Sequence, residues 1–130
     1  MRYIEFHNIS DFDPRAIFDC GQCFRWVPGE DGLYCGVAGG RFGRMEYEDG
    51  TLRIHGASEE DRQFWQKYLD LDRDYGKIKQ QLQGIDQFLD RAIEFGSGIR
   101  ILNQEFFETL ISFILSANNN IPRIRGCVEH

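Results

Sequence analysis

The residues best suited to chemistry in this chain are Cys20-Gly21-Gln22-Cys23, three lysines, three histidines and a polar turn at Asn118-Asn119-Asn120, followed shortly by Arg123 and Arg125. A Cys-x-x-Cys run suits thiol redox work or half of a zinc site. The redox version belongs in a βαβ setting, and none surrounds it. A structural zinc needs four ligands, usually two paired knuckles. Cys35 and Cys127 stand alone, with no histidine at knuckle spacing. Ordinary part-buried thiols are the better reading, and no metal is expected. Lys67, Lys77 and Lys79 lie among acids and glutamines, not in the apolar surroundings that depress a lysine's pKa for Schiff-base chemistry. His7, His55 and His130 have no nucleophile or carboxylate at a telling spacing. There is no phosphate loop, dinucleotide fingerprint or metalloprotease helix. No catalytic residue and no cofactor is assigned within these residues.

Two features remain. Gly21 sits between a short helix and a strand, where a glycine serves as a helix C-cap or tight turn. The other reading is that a missing side chain lets a ligand approach the backbone; residue type alone favours the turn. The Asn triplet likewise suits helix ends. Three in a row, with Pro122 opening a new helix and two arginines beyond, is more than a turn requires. Free N–H groups at such a helix start can face a phosphate, so a nucleic-acid role is the second reading.

Composition bounds the answer. A chain of 130 residues, 42% hydrophobic and 14% aromatic, suits one packed domain, or one plus the start of another. The net charge of -6 argues against nucleic acid, since phosphate contacts come from Lys and Arg. Between Leu110 and Val128, however, there are two arginines and no acid, so any DNA contact is expected there. No apolar run reaches the roughly 18 residues a membrane span needs. The start lacks a signal peptide's apolar stretch. The expectation is a cytoplasmic protein with reduced thiols and no membrane.

These residues need elements to hold them. Tyr3-Ile4-Glu5-Phe6-His7 alternates as a half-buried strand. Asp13-Pro14 is a cap and first turn for a helix to about Asp19. Strands are predicted at 24–27, 33–37, 41–48 and 51–54, with Asp49-Gly50 as a hairpin turn. Ser58-Glu59-Glu60-Asp61 resembles a capping box. Helices follow through Phe64, Trp65, Tyr68 and Leu69, over 74–82, and over 86–95 with Gly96 closing it. A further helix over 104–117 is apolar nearly all round and must be covered on several sides. Little chain follows to cover it, which suggests a truncated sequence; His130 is either native or the first residue of a tag. The fold class is α+β: a twisted antiparallel sheet with helices on one face, then the first helices of an incomplete all-α domain.

Three segments together resemble the 8-oxoguanine DNA glycosylase family, closest to its clostridial-type bacterial members. Cys20-Gly21-Gln22-Cys23-Phe24-Arg25-Trp26 is similar to its small-residue-Gly-Gln-x-Phe-Arg-Trp signature. Gly98-Ile99-Arg100-Ile101-Leu102 resembles the stretch that opens its helical domain. Phe113 to Arg123 resembles its helix end and triple-Asn turn. The resemblance implies an amino-terminal domain over 1–97, with a sheet of the TATA-binding-protein kind. Residues 98–130 would begin the helical glycosylase domain. It implies a base-excision-repair DNA glycosylase with AP lyase activity, monomeric when intact, acting on duplex DNA that contains 8-oxoguanine. An enzyme of this kind flips its base out of the stack. Gly21 matches the glycine whose carbonyl accepts the lesion's N7 hydrogen. Asn118 matches the residue that fills the vacated stack, with Asn119 beside it in the DNA-contacting turn. Arg123 matches a contact to the orphaned base. The family's nucleophilic Lys and its Asp belong to a later part with no counterpart here, so this chain alone is expected to lack catalysis.

Two other classes stay in view. One is a stand-alone, non-catalytic DNA- or protein-interaction module of the same fold. The other is a thiol redox protein, which requires a depressed thiol pKa at Cys20 or Cys23.

Overall fold

The computed structural model describes residues 2–117 and 119–129. Five strands form one antiparallel sheet: β1 (Tyr3–Phe6), β2 (Val27–Pro28), β3 (Tyr34–Ala38), β4 (Arg41–Glu48) and β5 (Thr51–His55), in the order β1-β5-β4-β3-β2. Side-chain alternation decides which face is buried. The register sets Ile4 opposite Ile54, Phe6 opposite Leu52, and Met45 beside both Ile54 and Tyr34. Ile4, Met45, Leu52 and Ile54 are almost fully buried. The opposite face carries a charge ladder in which Arg53 bridges Glu5 (3.3 Å) and Glu46 (3.2 Å) across three strands. The β4–β5 turn is Asp49-Gly50, both with positive φ (49° and 82°). Those are the signs a two-residue type I′ hairpin needs.

Two helices cover the apolar face. In α1 (Pro14–Asp19), Asp13 caps the first turn by accepting from the Arg15 amide, and Ile17 and Phe18 point inward. In α2 (Arg62–Tyr68), Trp65 and Tyr68 do the same. Trp26 joins both: it stacks on Phe18 at 4.5 Å, meets Trp65 edge-on at 6.0 Å, and donates its indole N–H to the Tyr68 hydroxyl at 2.9 Å. A buried aromatic with its polar atom satisfied keeps the full benefit of burial.

Several expected boundaries move. The strand expected from Phe24 reduces to Val27–Pro28, because Phe24 and Trp26 bury their rings instead of joining the ladder. The expected capping box does not form. Ser58 makes no side-chain cap bond; its hydroxyl donates to Asp61, whose carboxylate is also taken by Arg41 at 2.9 Å. A 3-10 turn over Glu59–Asp61 results. The remaining helices are α3 (Tyr75–Leu82), α4 (Gln87–Phe95), α5 (Phe106–Ser116) and α6 (Ile121–Glu129). Glu105, not Gln104, caps α5, its carboxylate accepting from the Phe107 and Glu108 amides. These two bonds hold that carboxyl below its ordinary pKa. Within this chain α5 leaves Phe106, Phe107, Phe113 and Ile114 exposed, Phe106 by 77%.

Residues 98–104 run back over the sheet and its covering helices as a strap outside helix and strand. Gly98 lies so close to Asp13 that a Cβ there would collide with its backbone nitrogen, 2.9 Å away. The close approach is closed by a hydrogen bond from the Asp13 amide to the Gly98 carbonyl. Leu102 enters the core, and Arg100, 3% exposed, is buried among carbonyls. Its guanidinium donates to Asp70 O (2.7 Å) and Ser10 O (2.7 Å) and more weakly to Arg73 O (3.4 Å), and it lies over the Tyr75 ring. Burial pulls its pKa below the ordinary arginine value, against the opposing pull of Tyr75, Asp11 and Asp70.

Arg100→Met keeps the apolar stem and removes the fork, leaving the Ser10 and Arg73 carbonyls without their donor and the Asp70 carbonyl with only the long Arg73 N–H bond at 3.4 Å. The expected cost is about 2–4 kcal/mol, read as a lower urea midpoint at unchanged slope. A variant within about 0.5 kcal/mol of the parent would mean water replaces the guanidinium without penalty.

Candidate functional site

The turn after α1 is built around Gly21. Cys20 ends the helix at φ -83°, ψ 1°, and Gly21 follows at φ +91°. L-residues with a Cβ avoid that region, so the backbone alone calls for glycine. A Cβ added at Gly21 would meet only the Ile121 Cδ1, at 3.7 Å. Gly21 therefore faces the start of α6, and with Gln22, Phe24, Thr109, Ser112, Phe113 and Ser116 it lines a small cleft against α5.

Gln22 fixes this turn. Its Nε2 donates to the carbonyls of Ile17 (3.1 Å) and Arg100 (2.7 Å), and its Oε1 accepts from the Leu102 amide (3.0 Å). Its own carbonyl accepts from Gln104 Nε2 at 2.5 Å. Two facing carbonyls and one facing N–H admit only this orientation of the amide. Arg25 also reaches Glu108 of α5, at 3.5 Å.

The asparagine turn caps two helices. Asn119 donates its Nδ2 to Leu115 O at 3.0 Å, tying off the end of α5, and its Oδ1 accepts from the Asn120 amide. Asn120 caps α6, its Oδ1 accepting from the Arg123 amide at 3.1 Å. The turn reading is thus sufficient for the geometry of Asn119 and Asn120. Asn118 lies outside the described residues. The two arginines separate in role. Arg125 is engaged internally, bonding Asp19 Oδ1 (3.0 Å) and Phe18 O (3.4 Å). Asp19 is held from its other side by the Tyr34 hydroxyl. Arg123 is exposed and pairs with no carboxylate among the described residues. The fold thus brings the Gly21 turn, the α6 start and Arg125 together around the end of α1.

Sequence reasoning missed Gln22 and Arg100 as organising residues, having met both only as motif letters. A signal existed for Arg100: a lone charge within the apolar run Ile99-Arg100-Ile101-Leu102. None existed for Gln22, whose partners Arg100 and Leu102 lie about eighty residues along the chain.

Cys23 does not suit the role of redox nucleophile. Cys23 is buried, and desolvation, aided by the nearby Cys20, pushes its thiol up to about 12. A redox nucleophile needs the opposite shift. Among the described residues no group of three or more His, Cys, Asp or Glu side chains could hold a metal ion. None of their helices is long and apolar enough to cross a membrane.

Residues 6–110 match the family described as 8-oxoguanine DNA glycosylase, N-terminal domain. This chain belongs to the 8-oxoguanine DNA glycosylase family. It is 43% identical to Clostridium acetobutylicum 8-oxoguanine glycosylase/lyase in its apo form, with a TM-score of 0.91 over 98% of this chain and 45% of that one. In complex with double-stranded DNA containing cytosine opposite 8-oxoG, the Clostridium acetobutylicum enzyme gives 41% identity and a TM-score of 0.87. That match covers 98% of this chain and 46% of the other. A Saccharomyces cerevisiae N-glycosylase/DNA lyase is 78% identical over 27 residues, 21% of this chain and 7% of that protein. The chain thus spans less than half the length of the solved structures it matches. Within the glycosylase family's fold, the antiparallel sheet and its helices agree with the α+β class read from sequence.

The Cys23 shift has a sign that can be checked. The unfolded thiol loses its proton near the ordinary value of 9.0 and the folded one near 12. The folded state therefore holds the proton longer, and this contribution to stability is full below pH 9 and lost as pH rises toward 12. At pH 8, iodoacetamide is expected to label exposed Cys20 and Cys127 while Cys23 reacts only on unfolding. Native-state labelling of Cys23 as fast as Cys20, read by peptide mass, would revive the redox reading.

Proposed function

We propose that this chain is the lesion-recognising amino-terminal portion of a DNA glycosylase/AP lyase that removes 8-oxoguanine from duplex DNA. The observation that carries this reading is the superposition of 98% of the chain on an enzyme crystallised with double-stranded DNA bearing cytosine opposite 8-oxoG. Residues 1–97 form the amino-terminal domain in this proposal, and 98–130 begin the helical glycosylase domain, with 98–104 strapped back onto the first. The working protein is a monomer.

Each residue then has a task. The Gly21 carbonyl accepts the N7 hydrogen that 8-oxoguanine carries and guanine lacks. With guanine, a ring lone pair faces the carbonyl's lone pair, and the unmade buried bond costs about 1–3 kcal/mol. Asn118 fills the gap left by the flipped base, an energetic need of any enzyme that unstacks its target. Asn119 supports that turn. Arg123 offers its donor fork to the orphaned base, for which cytosine supplies acceptors. Arg125 keeps to the protein, where its bond to Asp19 steadies α6.

The nucleophile lies outside these residues in this reading. Lys79 is bonded to Asp11 and to the Ser97 carbonyl, so its amine is engaged within the protein. Lys67 and Lys77 lie on α2 and α3, and neither lines the cleft beside Gly21.

Borohydride trapping on an 8-oxoguanine–cytosine duplex tests the assignment, with this chain run beside one extended by its natural downstream sequence. Only the extended chain is expected to form the covalent adduct. An adduct with the shorter chain would put the reactive amine among its own residues and overturn the division of labour. For Gly21→Ala in the extended chain, strain at positive φ costs on the order of 1–3 kcal/mol. Lesion-over-guanine preference is expected to fall further than overall DNA affinity. Equal losses on damaged and undamaged duplex would reduce Gly21 to a turn residue.

A further inference from the structure

A glycine carbonyl that discriminates by repelling a lone pair has a physical weakness. Glycine is the most freely rotating residue in the chain. A carbonyl able to swing by a few tens of degrees would turn away from guanine's N7 and lose the penalty that distinguishes the two bases. Rejection of the wrong partner requires the rejecting group to be held still. Gly21 makes no such restraint itself, having no side chain and an ordinary van der Waals neighbour in Ile121.

The restraint is present one residue later. The Gly21 carbonyl and the Gln22 amide nitrogen share one rigid peptide plane. Gln22 is held between two elements: by the end of α1 through Ile17, and by the strap through Arg100 and Leu102 at its side chain and Gln104 at its own carbonyl. Without Gln22 the Arg100 carbonyl and the Leu102 N–H would be left to water in a half-buried turn, and the Ile17 carbonyl would keep only the Cys20 thiol at 3.4 Å. The same bonds couple the turn to the strap that leads into α5, the helix that lines the other wall of the cleft beside Gly21.

We propose that Gln22, clasped by Gln104, is the positioning residue that sets lesion specificity by fixing the Gly21 peptide plane. The inference rests on the reading of Gly21 given above. Gln22 touches no substrate in this scheme; its side chain is spent inside the protein, and it acts through its neighbour.

The test uses the full glycosylase and three duplexes: 8-oxoguanine opposite cytosine, guanine opposite cytosine, and an abasic-site analogue opposite cytosine. The abasic duplex reports folding and general DNA binding with no base to be read. Gln22→Glu preserves shape and removes both donors, while Gln104→Ala removes only the outer bond and leaves the Gln22 amide in place. Lesion-over-guanine preference in binding is expected to fall about tenfold for Gln22→Glu and roughly threefold for Gln104→Ala, as unmade or loosened hydrogen bonds imply. Abasic binding by Gln104→Ala should stay within about twofold of the parent. If Gln22→Glu fails to fold, Gln104→Ala decides the matter. Preference unchanged in Gln104→Ala with normal abasic binding overturns the proposal. Parallel loss on all three duplexes in both variants assigns the clasp a merely structural role and also overturns it. If Gly21→Ala lowers the preference and neither glutamine variant does, the Gly21 reading survives and only the Gln22 role falls. If Gly21→Ala leaves it untouched, both fall together.

Discussion

A buried guanidinium that serves carbonyls sets the terms for much of this structure. Arg100 sits among the Ser10, Asp70 and Arg73 carbonyls, three points on loops that no strand or helix ladder would otherwise connect. Carbonyls at chain reversals are hard to satisfy without water. One arginine satisfies three, and in doing so holds residues 98–104 down on the sheet and its helices. From there the strap meets Gln22, and Gln22 meets the end of α1. The geometry of the Gly21 turn is therefore a consequence of how a charge eighty residues away is accommodated. Removing a well-bonded buried charge costs far more than a surface ion pair contributes, which separates Arg100 from an exposed pair such as Arg62 with Glu59.

Charge and apolar surface are distributed in a way that fits a protein with two kinds of face. The outer sheet face is dressed with Glu5, Arg53 and Glu46 in register across neighbouring strands. That pattern also discourages edge-to-edge association. The α5 face is the opposite, with several large side chains in the open. Exposed apolar patches of this kind mark a surface made for packing. In the proposed function the later helices of the glycosylase domain would supply that packing. In that function the acidic total weighs less against DNA, because the acids fall outside residues 110–128. Arg123 stands in a stretch, 110–128, that has none.

What could be read in advance divides along the range of the interaction. Asp49-Gly50 announced its hairpin because the dipeptide itself dictates two positive φ values. Asp13-Pro14 announced α1, and Asp74 and Asp86 are the N-caps that open α3 and α4. Each depends on neighbours within a turn. Phe24 to Trp26 misled for the same reason: aromatic residues favour strands locally, but here tertiary burial against Phe18, Trp65 and Tyr68 was worth more than ladder bonds. Ser58 and Asp61 failed as a capping box once Arg41, twenty residues upstream, took the carboxylate. The candidate site followed suit. Gly21 and the Asn turn were visible as residue types in suggestive order, whereas the amide clasp around Gln22 and the diversion of Arg125 to Asp19 depend on contacts that no local pattern encodes.

The strap has a consequence in time as well as in space. Ser10 and Arg100 are ninety positions apart, and Gln22 and Gln104 eighty-two. Contacts between such distant residues form late, because the entropy of closing a long loop must be met before they contribute anything. Strands β2 to β5 follow one another in sequence and can assemble from short-range pairings, and β1 joins by returning to β5, Tyr3 opposite His55. The Gly21 turn cannot be set until the chain as far as Gln104 has been synthesised and folded back. In a protein made from its amino end, scaffold comes first, and the surface that would tell a damaged base from a sound one is among the last to take shape.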